Sequence, residues 1–171
     1  MSLPKELLDV AIHLSHRERL KPKQASLRRA ISTGYYALFH LFTEEAARAF
    51  LRGNNTKIFD KTFRRIFEHT EMKNAAKSFK SGTLPDFLAI PLGSKTVSSD
   101  LRQVADTFFQ AQEKRHTADY DLTQYFSKRE TKKMIDDIKR AFAIWQRIKT
   151  TPEAVAFLFA LFTTKRLETR K

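Results

Sequence analysis

Apolar side chains recur at intervals of three and four residues along nearly the whole chain, and this spacing constrains the fold more than any other feature. Residues spaced in this way share one face of an α-helix, whereas a half-buried strand needs alternation at every second residue. Only four glycines and five prolines interrupt the pattern among 171 residues. The sequence therefore predicts an all-α protein of about five to six helices.

The first half of the chain contains three predicted helices. Pro4 occupies an allowed first-turn position and begins the first helix. The second runs from about Gln24 to Leu51, where a Gly-Asn-Asn sequence ends it. Gly34 lies inside this helix at a cost of about 1 kcal/mol relative to alanine, so we expect another helix to approach closely there. The third predicted helix spans roughly Lys57 to Phe79.

The second half begins with a predicted loop from Ser81 to Val97, because two glycines and two prolines oppose a continuous helix. Ser99 is expected to cap the fourth helix. Ser127 and Glu130 have the spacing of a capping box and begin the fifth helix. Thr151 followed by a proline begins the sixth.

A chain of this length is expected to form one domain, which we place at residues 1–150. Residues 151–171 add an apolar C-terminal helix with a basic tail. The sequence from Val155 to Phe162 is apolar on all sides of that helix. Such a helix must be buried on more than one face, either on the same domain or against a second copy of the chain.

The net charge of +13 indicates attraction to polyanions. Basic residues are concentrated between Ala47 and Lys80, where nine of them stand against three acidic residues. RNA or a nucleotide is the expected partner, and a solvated basic face without a ligand is the alternative. The nine basic residues are Arg48, Arg52, Lys57, Lys61, Arg64, Arg65, Lys73, Lys77 and Lys80.

Composition also predicts what the protein lacks. There is no cysteine, which excludes disulfides and thiolate metal sites. The five histidines are dispersed, so we expect no metal and no cofactor. The N-terminus shows no secretory signal, and the longest apolar run has nine residues where a membrane span needs about 20. We therefore expect a cytoplasmic protein that does not enter a membrane.

Two polar segments carry the candidate chemistry. The first is Arg115–Tyr120, which we place in a corner between two helices and which holds a guanidinium, an imidazole, a carboxylate and a phenol. The second is a polar stripe at steps of four residues along the second helix, which can face the first segment. The candidate catalytic residues are Arg115, His116, Asp119 and Tyr120; the candidate substrate-binding residues are Arg28, Ser32, Tyr36 and His40.

These residue types can act on RNA without a metal, because the 2′-hydroxyl of RNA can itself serve as the nucleophile. The protein then needs only to position the substrate, move a proton and stabilise charge. Arg115 would hold a phosphate, His116 or Tyr120 would transfer or donate a proton, and Asp119 would orient one of them. In the alternative interpretation, Arg115 and Asp119 form a salt bridge with a structural role.

The two segments together resemble the HEPN family of small all-α domains, named for higher-eukaryote and prokaryote nucleotide binding. The resemblance is carried by the segment from Leu27 to His40, with its paired tyrosines, and by Arg115 followed by an Ala-Asp-Tyr sequence. It is closest to a prokaryotic branch with these two motifs, and in layout it extends to about Ile148.

The resemblance implies an antiparallel helical bundle that forms a homodimer, and it implies a metal-independent ribonuclease of toxin or defence type. In the family, a histidine follows the catalytic arginine after four to six residues. Here Arg115 matches the arginine, Tyr120 stands at the histidine position, and His116 is adjacent to the arginine. A literal match to the family's spacing also occurs from Arg64 to His69, in the basic third helix, where chance explains it best.

Two other functions are compatible with the same sequence. The chain can be a non-catalytic interaction module that pairs with a nucleotidyltransferase antitoxin in a toxin-antitoxin system, with Tyr120 as a modification target. It can also be a purely structural helical protein whose basic face has no specific ligand. RNA affinity that is insensitive to Arg115 would favour the structural interpretation.

Overall fold

In a computed structural model, which describes residues 2–51, 62–84 and 86–168 and the side chains up to Thr163, the chain is all-α as predicted. Within these residues there is no strand, and only an isolated bridge joins Thr83 to Thr96. A short helical segment covers residues 62–64. The helices are α1 (Leu3–His16), α2 (Gln24–Phe50), α3 (His69–Lys80), α4 (Asp86–Leu92), α5 (Ser99–Tyr120), α6 (Lys128–Ile148) and α7 (Pro152–Glu168).

The third helix was predicted as continuous from Lys57, and this is wrong for residues 65–68. The chain leaves the helical conformation there, and α3 begins only at His69. Residues 57–61 lie outside the described residues. No side chain in this segment opposes a helix by itself. The break accompanies the packing of buried Phe67 on Phe63 and on Phe162, each at 5.5 Å between ring centroids.

The segment from Ser81 to Val97 contains no continuous helix, as predicted, but its description as a loop throughout is wrong, because α4 lies inside it. Pro91 belongs to the last turn of this short helix. Gly82 and Gly93 stand on either side of the helix with φ of 87° and 64°, a conformation that favours glycine. The glycines that favoured a loop in the sequence therefore mark the two boundaries of α4. The helices named above are more numerous than the five to six expected.

The predicted capping box at the start of α6 is confirmed. Ser127 Oγ lies 2.6 Å from Glu130 Oε2, and the Glu130 amide donates to Ser127 Oγ at 3.1 Å. At the start of α5 the capping residue is Ser98 rather than the predicted Ser99, since the Leu101 amide donates to Ser98 Oγ at 3.3 Å. Ser99 is the first residue of the helix itself.

The chain divides into two compact units. Unit 1 contains residues 1–41 and 107–143, and unit 2 contains residues 42–106 and 144–171. Each unit includes parts of α2, α5 and α6. The assignment of residues 1–150 to one domain stays a prediction.

In unit 1, α2 and α6 approach each other closely at Gly34, as the position of this glycine predicted. A Cβ atom at residue 34 would lie 2.8 Å from Cδ1 of Ile135 and 2.9 Å from Cδ1 of Ile138. Both isoleucines are buried. On the neighbouring position of α2, the buried ring of Tyr35 stacks on Phe108 of α5 at 5.6 Å. These contacts fix α2 between α5 and α6.

In unit 2, α7 packs on α3 and α4 of the same chain. Phe157 of α7 is fully buried, and its ring lies 5.4 Å from Phe42, 5.0 Å from Phe79 and 6.2 Å from Trp145. Phe159 on another face remains 36% exposed. Ala154, Ala156, Leu158, Ala160 and Leu161 are buried as well, so this apolar helix is buried on more than one face.

Candidate functional site

The candidate catalytic segment Arg115–Tyr120 forms the last turns of α5, which ends at Tyr120. The expected corner between two helices is therefore wrong at this place, and the Asp121 amide still donates to the Thr117 carbonyl at 3.0 Å. The helical conformation puts Arg115 and Asp119 on one face, a turn apart, and His116 and Tyr120 on the next. All of these residues belong to unit 1.

The guanidinium of Arg115 lies among three tyrosine rings. Its Cζ atom is 5.7 Å from the ring centroid of Tyr35, 5.4 Å from that of Tyr36 and 5.6 Å from that of Tyr120. Cations within about 6 Å of an aromatic centroid are attracted by the ring's quadrupole. The Arg115 side chain is only 13% exposed. We call these three tyrosines the tyrosine cage.

Two nitrogen atoms of Arg115 are engaged inside the protein. Nε lies 2.8 Å from Asp119 Oδ2, although its N–H is not directed at that oxygen, so the contact is an ion pair rather than a hydrogen bond. Nη2 donates to the Tyr36 hydroxyl at 2.8 Å. Within the described residues Nη1 donates to no acceptor. This nitrogen is the part of the guanidinium that can take a ligand.

The surroundings keep Arg115 charged. Burial lowers the pKa of its guanidinium, but the hydrogen bond to Tyr36 and the charge interactions with Tyr36, Asp119 and Tyr120 outweigh burial, so the pKa is raised. Burial raises the pKa of Tyr35 well above its usual range, although the charge of Arg115 opposes the shift. The cage therefore combines a permanent cation with a neutral buried phenol.

Asp119 joins Arg115 to α2. Its Oδ2 atom accepts a hydrogen bond from buried Ser32 at 3.3 Å in addition to the ion pair with Arg115. A carboxylate that is held from two helices restricts the rotamer of the arginine that it contacts. Asp119 is thus placed to position Arg115.

Arg28 binds the C-terminal end of α5 instead of facing an open cleft. Its Nη1 donates to the Ala118 carbonyl at 2.8 Å, and its Nη2 donates to the carbonyl of Asp121 at 2.9 Å and to that of Gln124. The Ala118 carbonyl lies in the last turn of α5, at the negative end of the helix dipole, which a cation stabilises. The other two carbonyls belong to the connection that follows α5. The Arg28 guanidinium also lies 5.5 Å from the ring centroid of Phe126.

His116 and Tyr120 provide the exposed part of the segment. Their ring centroids are 5.1 Å apart, and Tyr120 is 66% exposed. His40 is half-buried, and its ring lies 6.4 Å from that of Tyr36. Direct contacts therefore join Ser32 and Tyr36 of the stripe to Asp119 and Arg115, while the ring of His40 contacts that of Tyr36.

Gln24 is a positioning residue that the sequence interpretation missed. Its side-chain amide donates to the Phe126 carbonyl at 2.8 Å and accepts from the Phe126 amide at 2.9 Å. Together with Arg28 it fixes the connection between α5 and α6. Its position in the sequence could have indicated this role, because Gln24 precedes Arg28 by four residues and extends the polar stripe by one turn.

The second arginine-histidine match is interrupted in the structure. Arg64 lies 3.9 Å from Glu44 Oε1, and His69 begins α3 after the break at residues 65–68. Arg48, from the same basic segment, pairs with Glu44 and Glu45. Arg52, Lys57 and Lys61 lie outside the described residues. The described part of this basic segment is thus partly neutralised by two carboxylates of α2 that precede it.

In the part of the chain that the structure describes, no three histidine or carboxylate side chains are grouped as metal ligands. None of the helices described is both long and apolar enough to cross a membrane.

Compared with models of known protein families, with curated proteins and with solved structures, the chain matches none.

Proposed function

We propose that the protein is a HEPN-like RNA-binding protein that holds a phosphate of its substrate at Arg115, and that it cleaves RNA without a metal. The observation that carries this proposal is the tyrosine cage, whose three rings lie close to the guanidinium while Asp119 and Tyr36 contact two of its nitrogens. The remaining nitrogen, Nη1, is directed to no acceptor among the described residues.

An arginine held in this way suits a phosphate oxygen. Guanidinium groups form charge-assisted hydrogen bonds with phosphate, and such bonds are about twice as strong as neutral ones. Because ring contacts and the ion pair fix the side chain before the ligand arrives, little rotamer entropy remains to be lost on binding. The raised pKa keeps the charge at all physiological pH values.

The chemistry proposed is attack of an RNA 2′-oxygen on the adjacent phosphorus. The 2′-hydroxyl loses its proton, the bond from phosphorus to the 5′-oxygen breaks, and that oxygen takes up a proton. The products are a 2′,3′-cyclic phosphate and a 5′-hydroxyl. Arg115 stabilises the charge that develops on the phosphate, and exposed His116 moves a proton, as imidazoles commonly do near neutral pH. Tyr120 donates a hydrogen bond to a phosphate oxygen.

The proposal includes a homodimer and a role in a toxin or defence system, as the resemblance to the HEPN family implies. In such a dimer the exposed His116 and Tyr120 of one protomer would lie close to a second Arg115. A cytoplasmic location belongs to the same proposal.

The second candidate function is a non-catalytic interaction module that pairs with a nucleotidyltransferase antitoxin. The observation that favours it is the engagement of two Arg115 nitrogens by Asp119 and Tyr36, which fits a structural role for this side chain as well. The exposed hydroxyl of Tyr120 would then be the group that the partner modifies.

The deciding experiment is cleavage of labelled total RNA and transfer RNA in the presence of a chelator. We would compare the wild type with Arg115→Lys, which keeps the charge but not the planar group, and with Arg115→Ala. Arg29→Ala is the matched control, because Arg29 is an exposed arginine on α2 that forms no ion pair with any residue that the structure describes.

We expect cleavage by the wild type and by the control, and its loss in both Arg115 variants at unchanged helical content. If folded wild type binds RNA through Arg115 without cleaving it, the second candidate function is favoured. RNA affinity and cleavage that are the same in Arg115→Ala as in the wild type would refute a role for this site.

A further inference from the structure

A second strongly basic surface lies in unit 1, apart from the candidate site on α5. It is an open groove of about 840 Å³ between the start of α6 and the connection that precedes α2. We call it the α6 groove. Its basic lining residues are Arg19, Lys128, Arg129, Lys132, Lys133 and Arg140.

We propose that the α6 groove binds the phosphate backbone of double-helical RNA, without reading its sequence. This inference goes beyond the proposed function, because none of the groove residues lies on α5 and the groove can bind RNA whether or not Arg115 does. It names the structural class of the nucleic acid and a surface that the basic composition alone did not locate.

The spacing of the cations follows one face of a helix. Arg129, Lys132, Lys133 and Arg140 recur at three, four and seven residues, so their side chains lie along the same side of α6. From residue 129 to residue 140 the helix rises about 16 Å. The phosphates of one strand of a nucleic-acid duplex follow one another at a few ångströms along the axis, about 3.4 Å in DNA, so this length spans several successive phosphates.

The sixth cation builds the groove rather than binding a ligand. Lys128 Nζ donates to the carbonyls of Glu18 and Arg19, which attaches the connection between α1 and α2 to the start of α6. Ser26 holds the same connection by donating to Glu18 Oε1 at 2.8 Å. Arg19 is thereby placed opposite α6, although it is distant from that helix in sequence.

Three of the remaining cations are available to a ligand. Arg19, Arg129 and Lys132 form no ion pair with any residue that the structure describes. Lys133 and Arg140 are held by Asp137, at 2.8 Å and 3.3 Å. Phosphates entering the groove would compete with this one carboxylate for two cations.

The lining also indicates what the groove does not bind. All eight lining side chains are charged, the two acidic ones being Asp136 and Asp137. There is no aromatic ring in the lining on which an unpaired base could stack, as proteins that bind single strands provide. There is no apolar side chain to enter the acyl region of a membrane either. The charged lining therefore fits the phosphate backbone of a nucleic acid, which binds by electrostatic attraction.

The test measures binding of a short RNA duplex of mixed sequence as a function of salt concentration. The groove variant is Arg129→Gln with Lys132→Gln. The matched control is Lys5→Gln with Lys139→Gln, which removes the same charge from exposed positions of α1 and α6 outside the groove. Arg115→Ala is measured as a further variant. The single strand of the same sequence and phosphatidylserine vesicles are measured as alternative ligands.

We expect the groove variant to lose duplex affinity by at least about tenfold at low salt, and its salt slope to fall by about two, one for each phosphate contact. The control should change affinity by less than about threefold. Asp136→Asn should raise affinity, a gain that a disturbed fold cannot produce. Its control is Asp9→Asn on α1, where we expect no change.

Several results would overturn the proposal. If the groove variant and the control lose the same duplex affinity, the effect comes from net charge and not from the groove. If the protein binds the single strand or the vesicles more tightly than the duplex, the groove has another ligand. The outcome is separable from the proposed function, because Arg115→Ala should abolish cleavage, whereas the difference in duplex salt slope between the groove variant and its control should be the same with arginine or alanine at position 115.

Discussion

Asp119 lies one helical turn after Arg115, and its Oδ2 atom is 2.8 Å from the Nε atom of that arginine. The two side chains are 25% and 13% exposed. The same oxygen accepts a hydrogen bond from Ser32 of α2. One carboxylate thus sets the rotamer of the cation at the candidate site and ties that cation to the neighbouring helix.

Replacing Asp119 by asparagine should lower the free energy of unfolding by about 1 kcal/mol, because the half-buried guanidinium loses its charged partner. Urea unfolding of the variant measures this. Asp137→Asn is the control, since it breaks another i,i+4 ion pair of 2.8 Å whose lysine is 77% exposed. We expect less than about 0.5 kcal/mol there. Equal effects in the two variants would show that Asp119 contributes no more than a surface charge.

Gly34→Ala should destabilise the protein although alanine favours helices. The new methyl would stand within 3 Å of two buried isoleucine methyl groups, and overpacking of this kind costs about 1–3 kcal/mol against a gain of about 1 kcal/mol in propensity. The measurement is the melting temperature of Gly34→Ala alone and in an Ile138→Val background, which removes one of the two methyl groups. We expect a smaller loss in that background. A stabilised single variant would show instead that the two isoleucine side chains can move aside at little cost.

Arg28→Ala should cost about 2 kcal/mol of stability, because one carbonyl in the last turn of α5 and two in the connection that follows it lose a charged donor. Hydrogen exchange should accelerate at residues 121–127, which Arg28 holds together with Gln24. Arg29→Ala changes the adjacent exposed arginine and serves as the control. If residues 121–127 exchange no faster while RNA affinity falls, Arg28 binds substrate and not the helix end.

The sequence correctly predicted those structural features that depend on residues close together in the chain. The capping box of Ser127 and Glu130 and the close approach at Gly34 both follow from residues within one helix, and both are confirmed. The steps of four in the polar stripe likewise predicted that Ser32 and Tyr36 would face Asp119 and Arg115.

Features that depend on distant residues were not predictable in this way. A guanidinium suits a carbonyl as well as a phosphate, so the sequence could not show that Arg28 binds the end of α5. The helix break before His69 accompanies packing on Phe162, which is remote in the chain. Arg19 reaches the α6 groove only because Lys128 binds the carbonyl groups beside it.

Because the phenol of Tyr35 is buried, we expect the free energy of unfolding to decrease at alkaline pH. Burial raises its pKa in the folded state, so the folded protein retains a proton that the unfolded chain loses above about pH 10. The stability that this phenol contributes is complete below pH 10 and decreases above it, by about 1.4 kcal/mol per pH unit while the folded state stays protonated. Urea unfolding near pH 8 and near pH 11 should show a smaller decrease in Tyr35→Phe than in the wild type. Tyr125→Phe, at a 76% exposed position, should behave like the wild type.

Tyr120→Phe separates the hydroxyl of this residue from its ring. The phenyl group keeps the contacts with Arg115 and His116. The residue is 66% exposed, and its hydroxyl has no acceptor among the described residues, so stability should change by less than about 0.5 kcal/mol. If the hydroxyl donates to a phosphate oxygen, RNA cleavage or affinity should fall by about tenfold. Tyr125→Phe is again the control, and Tyr120→Ala is the companion variant, because it also removes one wall of the tyrosine cage. An effect in the alanine variant alone would mean that Tyr120 acts by positioning Arg115, whereas an effect in both places its hydroxyl on the substrate.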